Sequence, residues 1–97
     1  MATASIVLKT TKTLLNDEYS VAIRITHDRA SRYYPISTLV TNQSHRWRCT
    51  KDKWRPAEPE DNGLGRFRKS VNEYREMNEL LATKLKLAQD LLSAYDS

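Results

Sequence analysis

Apolar and polar side chains alternate most cleanly between Tyr19 and His27. Tyr19, Val21, Ile23 and Ile25 fall on one side of an extended chain, and Ser20, Ala22, Arg24 and Thr26 on the other. That period of two predicts a strand with one buried face. Ahead of it, residues 5–14 are rich in β-branched and apolar side chains (Ile6, Val7, Leu8, Thr10, Thr11, Thr13) and predict a first strand. Behind it, residues 32–40 predict a third. The polar stretches Asn16-Asp17-Glu18 and Asp28-Arg29-Ala30-Ser31 read as turns. Both are too short for a crossover, so the strands are expected to pair antiparallel as a meander. Pro35 cannot donate to a ladder, which puts the third strand at an edge and residues 19–27 in the middle.

Residues 41–69 have no period. Pro56, Pro59, Gly63 and Gly65 among Glu58, Glu60 and Asp61 predict an irregular, basic connection. Residues 70–95 predict a helix. Ser70 and Glu73 have the spacing of a capping box. Tyr74, Met77, Leu81, Leu85, Ala88, Leu92 and Tyr95 recur at steps of three and four, and Leu80, Leu87 and Leu91 widen the stripe. Roughly 24 helical residues would span about 36 Å, more than the ~30 Å of a nine-residue strand. The last turns are therefore expected to overhang the sheet, leading into further chain or pairing with a partner helix. The expected fold class is α+β: a three-stranded antiparallel meander packed against one long C-terminal helix, in one domain over residues 1–97.

Composition agrees with a folded domain, since 39% of the 97 residues are apolar and 29% charged. No apolar run approaches the ~18 residues of a membrane span. Met1-Ala2-Thr3-Ala4-Ser5 lacks the basic-then-apolar order of a secretory signal. Cys49 is the only cysteine, so no intrachain disulfide forms, and a reducing, cytoplasmic setting is expected. Charge changes the picture more. Residues 1–28 balance to zero and residues 56–97 are slightly acidic. Between them Arg29, Arg32, Arg46, Arg48, Lys51, Lys53 and Arg55 face only Asp52. One basic block between neutral or acidic ones is the footprint of a polyanion partner, although a solvated surface has the same composition.

A sheet covered by a helix on one side leaves its other face open. Here that face is expected to carry Ser20, Ala22, Arg24 and Thr26 with Val7, Lys9 and Thr11, a small and basic set that suits the major groove. An ordinary solvated sheet face is the alternative. In the 46–55 block, Arg46, Arg48, Lys51, Lys53 and Arg55 interleave with Trp47 and Trp54. The cations suit phosphate contacts. One indole, Trp47 in preference to Trp54, is expected to close an end of the core. His27, His45 and Cys49 lack the paired spacing of a zinc site, so no metal or cofactor is expected. Cys49 has no His–carboxylate companions, Gly63 and Gly65 make no phosphate loop, and Glu73, Glu76 and Glu79 read as a solvated helix face. No catalytic centre, membrane contact or small-molecule site is expected.

Three stretches in this order resemble a known family: Ser5-Ile6-Val7-Leu8-Lys9-Thr10, then residues 19–29, then Arg32-Tyr33-Tyr34-Pro35-Ile36-Ser37, followed by Trp47 and the Leu-rich helix. The chain is similar to the N-terminal arm-type DNA-binding domain of phage-integrase-like tyrosine recombinases of Bacteroidetes mobile elements. Ser37 stands where that family usually has Gly. The resemblance implies a sheet seated in the major groove of double-stranded DNA, without catalysis by this piece, in a larger protein whose other domains cut DNA and assemble as several subunits. The DNA contacts expected from the open face and the basic block are Lys9, Thr11, Arg24, Thr26, Arg29, Arg32 and Tyr33, with Arg46, Arg48, Lys51 and Lys53 on phosphate. Two other readings stay open: a protein-interaction module using the helix, and an RNA-binding module that stacks bases on Trp47 or Trp54.

Overall fold

The computed structural model describes residues 2–10, 15–40 and 45–96. It has the expected α+β architecture, an antiparallel β1-β2-β3 meander packed against one long C-terminal helix. The central strand β2, Tyr19–His27, has the predicted bounds. Strand β1, Thr3–Lys9, begins two residues before the prediction and ends at Lys9. Residues 11–14 of the expected strand, Thr11 among them, lie outside the described residues.

Strand β3, Ala30–Pro35, also begins two residues early. Asp28 and Arg29 both have left-handed φ, 49° and 68°, so the reversal needs only two residues. Its twist matches that of the flanking strands. At its far end β3 stops at Pro35 instead of running to Val40. Residues Ile36–Thr38 turn as a 3-10 helix, with Leu39 N donating to Ile36 O at 2.8 Å. Ile36 and Val40 are still core residues.

The connection expected to be irregular is built of short ladders. Strand β4, Arg48–Cys49, pairs with Tyr19 and Ser20 of β2 and makes the sheet four-stranded. Strands β5, Trp54–Arg55, and β6, Arg66–Phe67, pair with each other. Between them Leu64 runs parallel beside Ile6. Ile6 N donates to Gly63 O at 2.8 Å, and Gly65 N donates to Ile6 O at 3.1 Å. This covers the outer edge of β1, which would otherwise present unpaired backbone groups. Gly65 admits no side chain: a Cβ there would lie 2.5 Å from Trp54 Cζ2 and 2.6 Å from Ile6 O.

The helix α1, Tyr74–Asp96, starts later than the capping box predicts. Glu73 has φ 63°, and its carbonyl accepts the Met77 N–H at 3.1 Å. It therefore stands at the boundary of the helix and not at its third position, and the Ser70–Glu73 box does not form. The cause lies in β6. The side-chain amide of Asn78 accepts from Phe67 N at 2.8 Å and donates to Phe67 O at 3.0 Å. With Phe67 held on the helix's second turn, the chain must reverse through two tight turns across residues 68–74.

From the predicted stripe, Met77, Leu81 and Leu85 are buried against Ile6, Val21, Ile23 and Phe67, with Tyr74, Leu80, Ala88 and Leu92 partly buried beside them. The Tyr95 side chain lies outside the described residues. Leu87 and Leu91 are 53% and 69% exposed. Gln89 links the helix to the sheet edge, donating to Asn62 O at 3.0 Å and Ala4 O at 3.3 Å. Both indoles close the core: Trp47, as expected, and Trp54, edge-on to Phe67 at 5.2 Å. Among the described residues no helix is long and apolar enough to cross a membrane.

Candidate nucleic-acid interface

Strand register decides which expected contacts share a face, because side chains of directly paired residues project to the same side. Arg24 pairs with Ser5 on one flank and Tyr33 on the other, Thr26 with Thr3 and Ser31, and Lys9 with Ser20. The face away from the helix therefore carries Lys9, Arg24, Thr26 and Tyr33 together; Arg48, paired with Ser20, falls on it too, with its counter-charge Glu18 at that end. Lys9 Nζ stands 5.3 Å from the centroid of the Tyr33 ring, a cation–π distance. From the Ser20 row to the Arg24 row, that side chain crosses the row of Ala22, which is fully buried. Thr26 Oγ1 and Ser31 Oγ are 2.8 Å apart. Arg24 Nε is buried without a hydrogen-bond partner among the described residues.

Arg32 does not join this group. It pairs with Ile25, so it projects to the helix side of the sheet, where it is exposed beyond the core. Parity is the reason: a two-residue turn pairs His27 with Ala30 and so sets every later residue of β3. Arg29 is at the exposed tip of the same hairpin.

The 46–55 block divides. Lys51 stands 5.3 Å from the centroid of the Tyr19 ring and lines one groove with Arg24, Ser5 and Val7. Arg46 and Arg48 instead converge on Glu18, at 2.7 and 3.7 Å. Glu18, read from sequence as a turn residue, is a largely buried counter-charge. A separation of 28 residues along the chain gave no sign of it. The pairs are exposed on the arginine side, and such pairs are worth about 0–1 kcal/mol, so a phosphate competes with the carboxylate. Lys53 is exposed in the turn Lys51–Lys53 and lines a separate cleft with Arg46 and Arg48. Arg66 and Arg68 are occupied within the fold by Asp61 and the Trp54 carbonyl.

Two other groups bear on the chemistry. Cys49 is buried, and burial, aided by Glu18 and Asp52, pushes its thiol up to about 12. It is a packed thiol at neutral pH and not a nucleophile. The two tryptophans, 5% and 4% exposed, offer no open ring face for bases to stack on. Comparisons with protein-family models, curated proteins and solved structures give no match for this chain.

Proposed function

We propose that this chain is a non-catalytic module that binds double-stranded DNA sequence-specifically, with its open sheet face in the major groove. Its role would be that of the arm-type domain of a cytoplasmic tyrosine recombinase or transposase, contributing to integration of a mobile element. The observation that carries the reading is the open sheet face that brings Lys9, Arg24 and Tyr33 together with Arg24 at its centre. Lys9 and Tyr33 flank Arg24, and Lys51 lines its groove, together with Glu58 and Asp90. A guanidinium presented this way matches the acceptor pair of a guanine edge. Lys51, Lys53, Arg46 and Arg48 act on phosphate and set orientation. Burial of both indoles counts against single-strand stacking.

The test is fluorescence anisotropy with a duplex selected from a randomised pool, at two salt concentrations. Arg24→Ala should weaken the selected duplex by about 1–3 kcal/mol and relax preference at one position. Lys51→Ala and Lys53→Ala should each reduce the salt slope by about one, without changing preference. Wild-type affinity and preference in Arg24→Ala would remove the sheet face from recognition. A second reading rests on Leu87 and Leu91, exposed one turn apart on the outer side of α1. They suit contact with another subunit of such a recombinase, and sedimentation of the Leu87→Glu, Leu91→Glu variant tests that.

A further inference from the structure

A cleft between β4 and the start of α1 holds a cluster that DNA binding does not use. His45 enters it with a side chain only 4% exposed. Its ring stands edge-on to Trp47, with centroids 5.8 Å apart at 78°, which fixes its orientation. Nδ1 lies 3.6 Å from Glu73 Oε2, and Nε2 lies 3.7 Å from Glu76 Oε2. Neither separation is a hydrogen bond. Nδ1 is buried with no hydrogen-bond partner among the described residues. Leaving such an atom unsatisfied costs about 1–3 kcal/mol, so the arrangement favours a group that fills the gap.

One ligand atom from each of His45, Glu73 and Glu76 lies within 4.8 Å of the others. Around a tetrahedral ion with bonds of about 2.0–2.2 Å, donor atoms stand roughly 3.3–3.6 Å apart. The two carboxylates, each beside a different ring nitrogen, would close on one nitrogen by up to roughly 1.2–1.5 Å to reach that. We propose that His45, Glu73 and Glu76 bind one divalent transition-metal ion through one imidazole nitrogen and two carboxylate oxygens. The donor set selects the class. An imidazole with two carboxylates suits Zn²⁺ or Mn²⁺, whereas Ca²⁺ and Mg²⁺ prefer oxygen alone. Three protein ligands leave a position for water. The ion would tie the chain before β4 to the boundary residue of α1, where Glu73 already holds a left-handed backbone. Arg46 and Lys53 line the same cleft and oppose a cation, while Glu18 there neutralises part of their charge.

Isothermal titration of the full chain with Zn²⁺, without DNA, tests the site independently of the functional reading above. One equivalent should bind with Kd of about 1–100 μM, and Glu73→Gln and Glu76→Gln should each weaken it at least about tenfold, or 1.4 kcal/mol. Both glutamates are half-exposed or more, so these variants keep the fold, which circular dichroism verifies. Co²⁺ should quench tryptophan emission in the wild type, through Trp47, and not in the double Gln variant. His27→Ala, which removes the exposed His27–Asp28 pair, should bind as the wild type does. Absence of binding at ~1 mM Zn²⁺, a binding free energy weaker than about −4.1 kcal/mol, would overturn the proposal. So would binding that survives both Gln substitutions or disappears in His27→Ala.

Discussion

Gly65→Ala puts a methyl group where the fold has no room. The new Cβ would meet Trp54 Cζ2 at 2.5 Å and the Ile6 carbonyl at 2.6 Å. Two escapes exist. Swinging the indole out forfeits the burial of Trp54, which at ~25 cal/mol per Å² over about 150–250 Å² is worth roughly 4–6 kcal/mol. Peeling residues 63–65 off β1 breaks the two backbone bonds to Ile6 at 2.8 and 3.1 Å, about 1 kcal/mol each. Peeling is the cheaper route, so the expected loss is about 2–3 kcal/mol, and overpacking costs elsewhere are of this size. A domain of this length loses about 4–8 °C of Tm per kcal/mol, which predicts a fall of roughly 8–24 °C. Thermal melts followed by circular dichroism give the magnitude. Hydrogen exchange at the Ile6 and Gly65 amides identifies the route, since both amides lose protection if the edge peels. A variant with the wild-type Tm and wild-type protection would refute the account of why Gly65 is glycine.

Three further outcomes follow from other contacts. Asn78→Ala leaves both backbone groups of Phe67 without their partner and should cost about 2 kcal/mol in urea unfolding; a change under ~0.5 kcal/mol would show that water replaces the amide without loss. Arg29→Gly relieves a left-handed residue and creates the Asp-Gly pair that such hairpins favour, so the unfolding free energy from urea melts should rise by about 0.5–1 kcal/mol, and an unchanged value would count against the two-residue turn. The raised Cys49 thiol binds its proton more tightly in the folded chain than in the unfolded one. Its contribution is present below pH ~9, and stability should fall from there towards pH 12 by up to about 1.4 kcal/mol per pH unit. Comparing Cys49→Ala with the wild type isolates this slope, and parallel curves would dismiss it.

What the sequence conveyed depended on how long each pattern ran. Nine alternating residues were enough to bound β2 at both ends, and six turns of stripe identified Met77, Leu81 and Leu85 as core. Two-residue strands have no period, so β4, β5 and β6 were read as irregular chain. The helix start was misjudged because the Ser70–Glu73 spacing is a local signal. The contact that overrides it, Asn78 with Phe67, is tertiary. Lys9 and Arg24 were correctly grouped since alternation fixes their faces within their own strands. Arg32 was grouped with them wrongly, because its face depends on the exact length of the turn before it. Trp54 went unassigned between surface and core, and only the bare backbone at Gly65 explains where its ring fits. The His45–Glu73–Glu76 cluster was invisible in spacing, as it joins a loop to a helix boundary 28 residues away.

The edge of β1 has a consequence in time. Its partners are residues 63–65 and Gln89, the last of these 85 positions beyond Ala4. During synthesis the meander of β1, β2 and β3 is complete well before those partners exist. At ~5–20 residues per second the interval between Pro35 and Leu92 lasts about 3–11 s. Throughout it, Ile6, Val21 and Ile23 form an uncovered apolar sheet beside an open strand edge. The nascent chain is then at its most prone to associate with a second copy or to recruit a chaperone, and slowing translation after β3 should lower soluble yield without touching the stability of the finished fold.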